Sequence, residues 1–271
     1  MTWLKTVTAA SLPSAAIGLS RRTAAGNVAR LNPAPRTFVL IHGGWHGAWC
    51  WERLATLLRA DGHMVIAPDL PSMGDDPTDP ATVTLSSWTK FVLELIAAQS
   101  ERVILVGHSR AGAIISQVAE AVPGRILRLV YLSAYLLPGG RSVAAEARQD
   151  ADSLVPANMV PGAGGVTCTL RPEIVSAAFY GECSEAERAF AIARLSPEPL
   201  KPLAAAVQVT AQRFGGVPRV YVECNADRTI SLAAQRRMQA ALPCDPVFTL
   251  DCDHSPFLSR PAELARLLGG L

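Results

Sequence analysis

Six short apolar runs recur between helix-period segments from residue 37 to the C-terminus, and that alternation narrows the chain to one fold class. The runs are Thr37–Ile41, Met64–Pro68, Arg102–Val106, Leu127–Leu132, Arg219–Cys224 and Pro246–Leu250. They are rich in Val, Ile and Leu with few polar interruptions. This is the pattern of parallel strands covered on both faces, not of an antiparallel sheet with one wet side. Between the runs, apolar residues share single helical faces: Trp51, Leu54 and Leu58; Leu85, Trp88, Val92, Leu95 and Ile96; Ile115, Val118, Ala119 and Val122. Leu264, Leu267 and Leu268 follow Pro261 near the end. Parallel strands require crossovers, and right-handed helical crossovers supply them. The expectation is an open α/β sheet of six mainly parallel strands flanked by helices. The alternation lapses over about residues 135–217, after the fourth strand. Pro138-Gly139-Gly140 and the Gly/Pro-rich segment 161–165 there precede a helix expected near Ser184–Leu195. The stretch reads as a small cap inserted over the carboxyl edge of the sheet.

A chain of 271 residues, 49% hydrophobic and only 18% charged, is too apolar for intrinsic disorder. Lys+Arg 25 against Asp+Glu 23 leaves +2, so no strong field gathers nucleic acid or an anionic membrane. No membrane span is expected: the charge-free run Thr6–Ser20 is short and contains Pro13. Six scattered cysteines (Cys50, Cys168, Cys183, Cys224, Cys244 and Cys252) form no C-x-x-C pair and read as reduced thiols. Residues 1–36 differ from the rest in being rich in Ala, Ser and Thr and ending in Asn32-Pro33-Ala34-Pro35-Arg36. Two readings stand, a weak export leader or a plain N-terminal extension. The polar, Pro-broken stretch favours the extension, and with it a cytoplasmic protein. The domain proper then spans residues 37–271.

The strongest chemical signal is Val103-Ile104-Leu105-Val106-Gly107-His108-Ser109-Arg110-Ala111-Gly112-Ala113, a buried strand running through Gly-x-Ser-x-Ala-Gly into an apolar helix. Strand, sharp turn and helix together are the context of a nucleophile elbow. Its tightness demands small residues two before and two after the serine, which Gly107 and Ala111 satisfy. The turn presents Ser109 Oγ and aims a helix N-terminus at the reacting carbonyl. The first run ends in His42-Gly43-Gly44-Trp45, a loop whose backbone N–H groups can face an oxyanion. The donors expected are the Gly44 and Arg110 amides. The Arg110 side chain, at a helix start, is expected to turn away from the pocket.

A serine nucleophile needs a base, and the base needs an orienting carboxylate. Of five histidines, His42 and His46 sit in the oxyanion loop, His63 follows a helix-to-strand turn, and His108 precedes the serine facing the other way. His254 follows the last strand in Asp253-His254-Ser255-Pro256-Phe257, at the carboxyl edge, and is the expected general base. Asp227 follows strand Arg219–Cys224 by a short turn and lies one helix plus one strand ahead of His254. The chain order Ser109, Asp227, His254 is that of a Ser-Asp-His triad on such a sheet. Asp251 and Asp253 are expected to be solvated loop charges. Gly43, Trp45, His46 and Ser255 are candidate pocket residues. Met73, Trp88, Leu136, Phe179 and Tyr180 are further candidates for which core packing is the better reading.

Taken together these motifs resemble the α/β-hydrolase superfamily over about residues 37–271. More narrowly, residues 38–49, residues 62–71, Asp227-Arg228 and residues 253–257 resemble the branch of plant methylesterases, hydroxynitrile lyases and bacterial esterases. The resemblance implies a minimal six-stranded sheet with a small cap and carboxylic ester hydrolysis through an acyl-enzyme. The expected substrate is a small to medium apolar ester, and no metal or organic cofactor is required. Lyases of that branch carry a threonine after the oxyanion-loop histidine and a lysine after the catalytic histidine. Here those places hold Gly43 and Ser255, which favours hydrolysis over cyanohydrin cleavage. A ligand-binding receptor with vestigial hydrolase activity is the remaining alternative.

Overall fold

In the computed structural model residues 34–271 are described. The extension expected over residues 1–36 lies almost wholly outside the described residues, and its leader reading with it. The described chain runs β1 (Thr37–Ile41), α1 (Glu52–Ala60), β2 (Met64–Ile66), α2 (Leu85–Ala97), β3 (Val103–His108), α3 (Ala111–Ala121) and β4 (Ile126–Leu132). The insertion after β4 holds α4 (Val143–Ala147), β5 (Met159–Pro161), β6 (Thr167–Leu170), α5 (Pro172–Phe179), α6 (Glu185–Ile192), β7 (Glu198–Pro199) and α7 (Leu200–Ala204). The chain then returns through β8 (Arg219–Cys224), α8 (Leu232–Ala241), β9 (Val247–Leu250), α9 (Pro256–Ser259) and α10 (Pro261–Gly269).

The main sheet has six strands in the order β2-β1-β3-β4-β8-β9, and every neighbouring pair is parallel. Alternating side chains of each strand enter opposite cores. Phe38 and Leu40 pack with Ile104, Val106, Val130 and Leu132 on one face. Val39 and Ile41 pack with Val103, Leu105, Leu129 and Tyr131 on the other. Both faces of the central strands β1, β3, β4 and β8 are therefore dry, which is why they read as unbroken apolar runs, while the edge strands β2 and β9 are partly exposed. Helices α1 and α10 cover the first face, and α2, α3 and α8 the second. Strand β2 stops at Ile66, short of Pro68, whose nitrogen cannot donate to a ladder. Strand β3 runs two residues further than expected, to His108, and delivers Ser109 directly.

The cap has its own small antiparallel sheet, β5-β6-β7, with Met159 opposite Leu170 and Thr167 opposite Pro199. The helix expected near Ser184–Leu195 is α6, started by a capping box in which Ser184 and Glu187 exchange side-chain and backbone bonds. Because the main strands all run one way, β1, β3, β8 and β9 end at one edge, and the loops that follow them meet beneath the cap.

Candidate active site

Ser109 sits at the β3–α3 turn with φ 55°, in the left-handed region that an ordinary L residue avoids. Close packing holds it there. A Cβ on Gly107 would lie 2.9 Å from the Ala111 carbonyl oxygen, and one on Gly112 only 2.2 Å from that of Tyr135. The second indispensable small residue is thus Gly112, one place beyond the Ala111 expected from the motif. The Ser109 carbonyl accepts from the Tyr135 N–H at 3.0 Å, and the Ser109 N–H donates to Leu132 at 3.3 Å. The elbow is pinned to the end of β4. Among the described residues neither the Gly44 nor the Arg110 amide donates to a protein acceptor, so both remain available to an oxyanion.

His254 Nδ1 lies 2.6 Å from Asp227 Oδ2, with both side chains buried. The carboxylate thereby fixes the tautomer that leaves Nε2 as the free base. Asp227 Oδ1 accepts from the Thr229 and Ile230 amides at 2.6 and 3.0 Å. Oδ2 is shared with Ser133 Oγ. No direct hydrogen bond joins Ser109 Oγ to His254 among the described contacts, and such bonds commonly tighten only when substrate binds. The two residues are nonetheless linked through His108, whose Nε2 bonds the His254 carbonyl at 2.8 Å while its ring lies 4.4 Å from that of His254.

The remaining histidines are braces. His42 Nδ1 donates to the Gly43 carbonyl at 2.9 Å, and its Nε2 accepts from the Leu70 amide. His46 Nδ1 donates to the Gly44 carbonyl at 2.7 Å while Nε2 accepts from Tyr180 Oη at 2.8 Å. Burial pushes His42 and His108 well below the usual histidine range and His46 down to about 3. Burial thus keeps all three neutral near pH 7; His42 and His46 brace the loop after β1, and His108 braces the His254 loop.

A cavity of about 350 Å³ opens on Ser109. Its sheet side is formed by Gly44, Trp45, Arg110, Tyr135 and Thr229. Its cap side is mostly aliphatic, from Val143, Ala147, Met159, Leu200 and Leu203, with Arg148 as a polar exception. Of the four candidate pocket residues only Trp45 lines it. Gly43 is instead packed under His108, where a Cβ would come within 2.6 Å of the ring Nδ1. His46 is occupied by Gly44 and Tyr180, and Ser255 is fully buried off the cavity. Met73, Trp88, Leu136, Phe179 and Tyr180 belong to the core, as their packing suggested.

Two expectations about charge are corrected. Asp253 is 2% exposed, not solvated. Its Oδ1 accepts from the Ser255 amide and Ser259 Oγ, and its Oδ2 from the Glu182 amide in the cap. Nor does the Arg110 side chain turn away from the site. It is buried under the cap, pairs with Glu198 of β7 and lies 4.1 Å over the Trp88 ring. The contact is an ion pair and not a well-aligned hydrogen bond, and the Arg110 terminal nitrogens lack protein acceptors. Glu198 Oε2 also accepts from the Trp45 amide at 3.0 Å and so holds Trp45 at φ 60° beside the oxyanion donor. Burial raises Glu198, opposed by the Arg110 charge. Glu198 and Ser133 were missed from the sequence. No local motif marks either, because their partners lie 153 and 94 residues away.

The chain matches the Alpha/beta hydrolase family over residues 38–267. It is 31% identical to methylesterase 7 of Arabidopsis thaliana over 247 residues, covering 86% of this chain and 95% of that protein. It is 30% identical to the putative chloroplastic methylesterase 13 of Arabidopsis thaliana, covering 86% of this chain but only 55% of that longer protein. The chain thus spans little more than half the length of that relative. Among solved structures, a polyneuridine aldehyde esterase mutant superposes with a TM-score of 0.77 at 27% identity, covering 86% of this chain and 98% of the other.

Proposed function

Because the chain belongs to the α/β-hydrolase family, we propose that it is a carboxylic ester hydrolase in which Ser109, His254 and Asp227 act as a triad. Ser109 Oγ attacks the ester carbonyl, and its proton passes to His254 Nε2. The tetrahedral oxyanion is held by the Gly44 and Arg110 amides. The C–O bond breaks as His254 returns the proton to the leaving alcohol, and an acyl-Ser109 ester remains. Water, deprotonated by the same histidine, then releases the acid and restores the serine. Asp227 stays ionised throughout and stabilises the transient imidazolium. Neither a metal nor an organic cofactor enters these steps.

The observation that supports this reading is a serine at positive φ and two amides without protein acceptors on one cavity, with a buried His–Asp pair joined to the same turn through His108. The mostly aliphatic cap wall and the cavity volume support a small to medium apolar ester. All six cysteines are unpaired, which supports a reducing, cytoplasmic setting. No helix among the described residues is long and apolar enough to cross a membrane. Cyanohydrin cleavage is disfavoured by charge. Departing cyanide needs a cation in a low-dielectric pocket; Ser255, next to His254, is neutral, Arg110 is already paired with Glu198, and the remaining cation on the cavity, Arg148, stands on the cap wall.

The test is a parallel assay of p-nitrophenyl acetate and mandelonitrile with wild type and Ser109→Ala. Ester turnover dependent on Ser109, unaffected by EDTA, with mandelonitrile cleavage at background, is the expected result. Ser109-dependent release of benzaldehyde with ester turnover near background would overturn it.

A further inference from the structure

The carboxylate of Asp227 accepts four donors, one more set than a triad requires. The Thr229 and Ile230 amides take Oδ1, while Oδ2 receives both His254 Nδ1 and Ser133 Oγ. Ser133 is fully buried, directly after β4, with φ 38°. Its amide donates to the Val222 carbonyl of β8 at 2.9 Å. A buried non-glycine residue at positive φ is costly and persists only where its surroundings enforce it. Here the strained backbone turns the hydroxyl onto the carboxylate, and that carboxylate is its hydrogen-bond partner among the described residues.

We propose that Ser133 is a positioning residue for the reaction suggested above, acting through Asp227. Its hydroxyl holds the rotation of the carboxylate and competes with His254 for Oδ2. A carboxylate sharing one oxygen between two donors is a weaker base. The imidazolium is therefore held less tightly, and His254 gives up its proton at lower pH than it would against a three-donor carboxylate.

The surroundings isolate this effect. His254 faces Asp227, His108 and His46, and it adjoins Asp253, whose oxygens are taken by donors of their own. Asp227 in turn faces Tyr135, Tyr221 and Cys224. Burial keeps His108 and His46 neutral and pushes the two tyrosines and the thiol up, away from the neutral range. Arg110 and Arg148 border the cavity as fixed cations.

The experiment compares Ser133→Ala with Ser133→Gly. Both remove the hydroxyl, but only glycine relieves the positive φ. The acid limb of kcat/KM is expected to move to higher pH by about half to one unit in both variants, the size of one lost hydrogen bond. Ser133→Cys, with its weak S–H donor, should fall between them and wild type. The same displacement is expected in the resting protein, read by ¹⁵N NMR titration of the His254 ring, which needs no turnover. An unmoved titration in both Ala and Gly variants overturns the role of Ser133, whatever happens to stability. Wild-type ester turnover that is absent, with the NMR displacement present, would instead overturn the hydrolase reading and leave the Ser133 coupling standing.

Discussion

On the sheet side, Ser109, Asp227 and His254 follow strands of four to six residues of the main sheet, β3 and β8 buried and β9 at the edge. On the cap side, Val143, Met159 and Leu203 are carried by elements of three to five residues, α4, β5 and α7. The first region can hold polar groups closely, because each follows a strand of the main sheet within four residues. The second offers aliphatic surface on short pieces that can be exchanged without disturbing the sheet. On the proposed reading, chemistry is placed on the sheet half and substrate shape on the cap half. Among the contacts that cross the boundary are Glu198 to Trp45 and to Arg110, Tyr180 to His46, and Asp253 to the Glu182 amide. These four run to the loops that hold Gly44, Ser109 and His254.

The sharpest way to separate the halves is to remove chemistry without touching packing. Ser109→Ala should lower ester turnover at least ~10³-fold while the unfolding midpoint stays within about 2 °C of wild type; a large loss of stability would show that the elbow is not the preformed scaffold described. Glu198→Ala does the reverse and strands the Arg110 cation in a site only 3% exposed. Urea unfolding should report a loss of about 3–5 kcal/mol, most of it regained in Glu198→Leu with Arg110→Met. A single variant as stable as wild type would remove Glu198 as a link between cap and elbow.

Acid should weaken the sheet side before it touches the cap wall. His42, His46 and His108 are all depressed in the folded state. As pH falls through their unfolded value of about 6.5, the unfolded chain takes up protons that the native chain refuses. Stability is complete above that value and declines below it, by about 2 kcal/mol for three histidines between pH 7 and pH 6. Urea midpoints that do not change over this interval would contradict the neutral braces. The smallest effect belongs to the cap. Ala147→Phe, which fills part of the cavity, should raise KM for long acyl esters by about tenfold and leave acetate turnover nearly unchanged. An equal loss on both esters would mean that the cap serves the chemistry and not the fit.

The same division explains what the sequence made legible. Residues 103–115 carry their meaning locally: an apolar run, Gly107, Ser109, Gly112 and an apolar helix are all adjacent. Asp227 and His254 follow from counting strands, since parallel strands must end at one edge. Glu198 lies in a two-residue strand with no periodicity to report it. Ser133 is a small residue at the end of an apolar run, where nothing local distinguishes a strained donor from a filler. Arg110 is expected from the sequence to turn away from the pocket because it stands at a helix start; the cap glutamate that draws it under the cap is distant in sequence and has no local mark. Asp253 was misplaced for the same reason, its partner being a cap amide.

The account rests on Ser109 being the activated nucleophile beneath the cap. Treatment with a fluorophosphonate followed by peptide mass spectrometry measures this directly, because the reagent forms a stable phosphonyl ester only with a serine whose proton is taken by a neighbouring base. One adduct per chain on the peptide containing Ser109, abolished by His254→Ala, is the predicted result. An adduct on another serine, or labelling of Ser109 that is indifferent to His254, would contradict it.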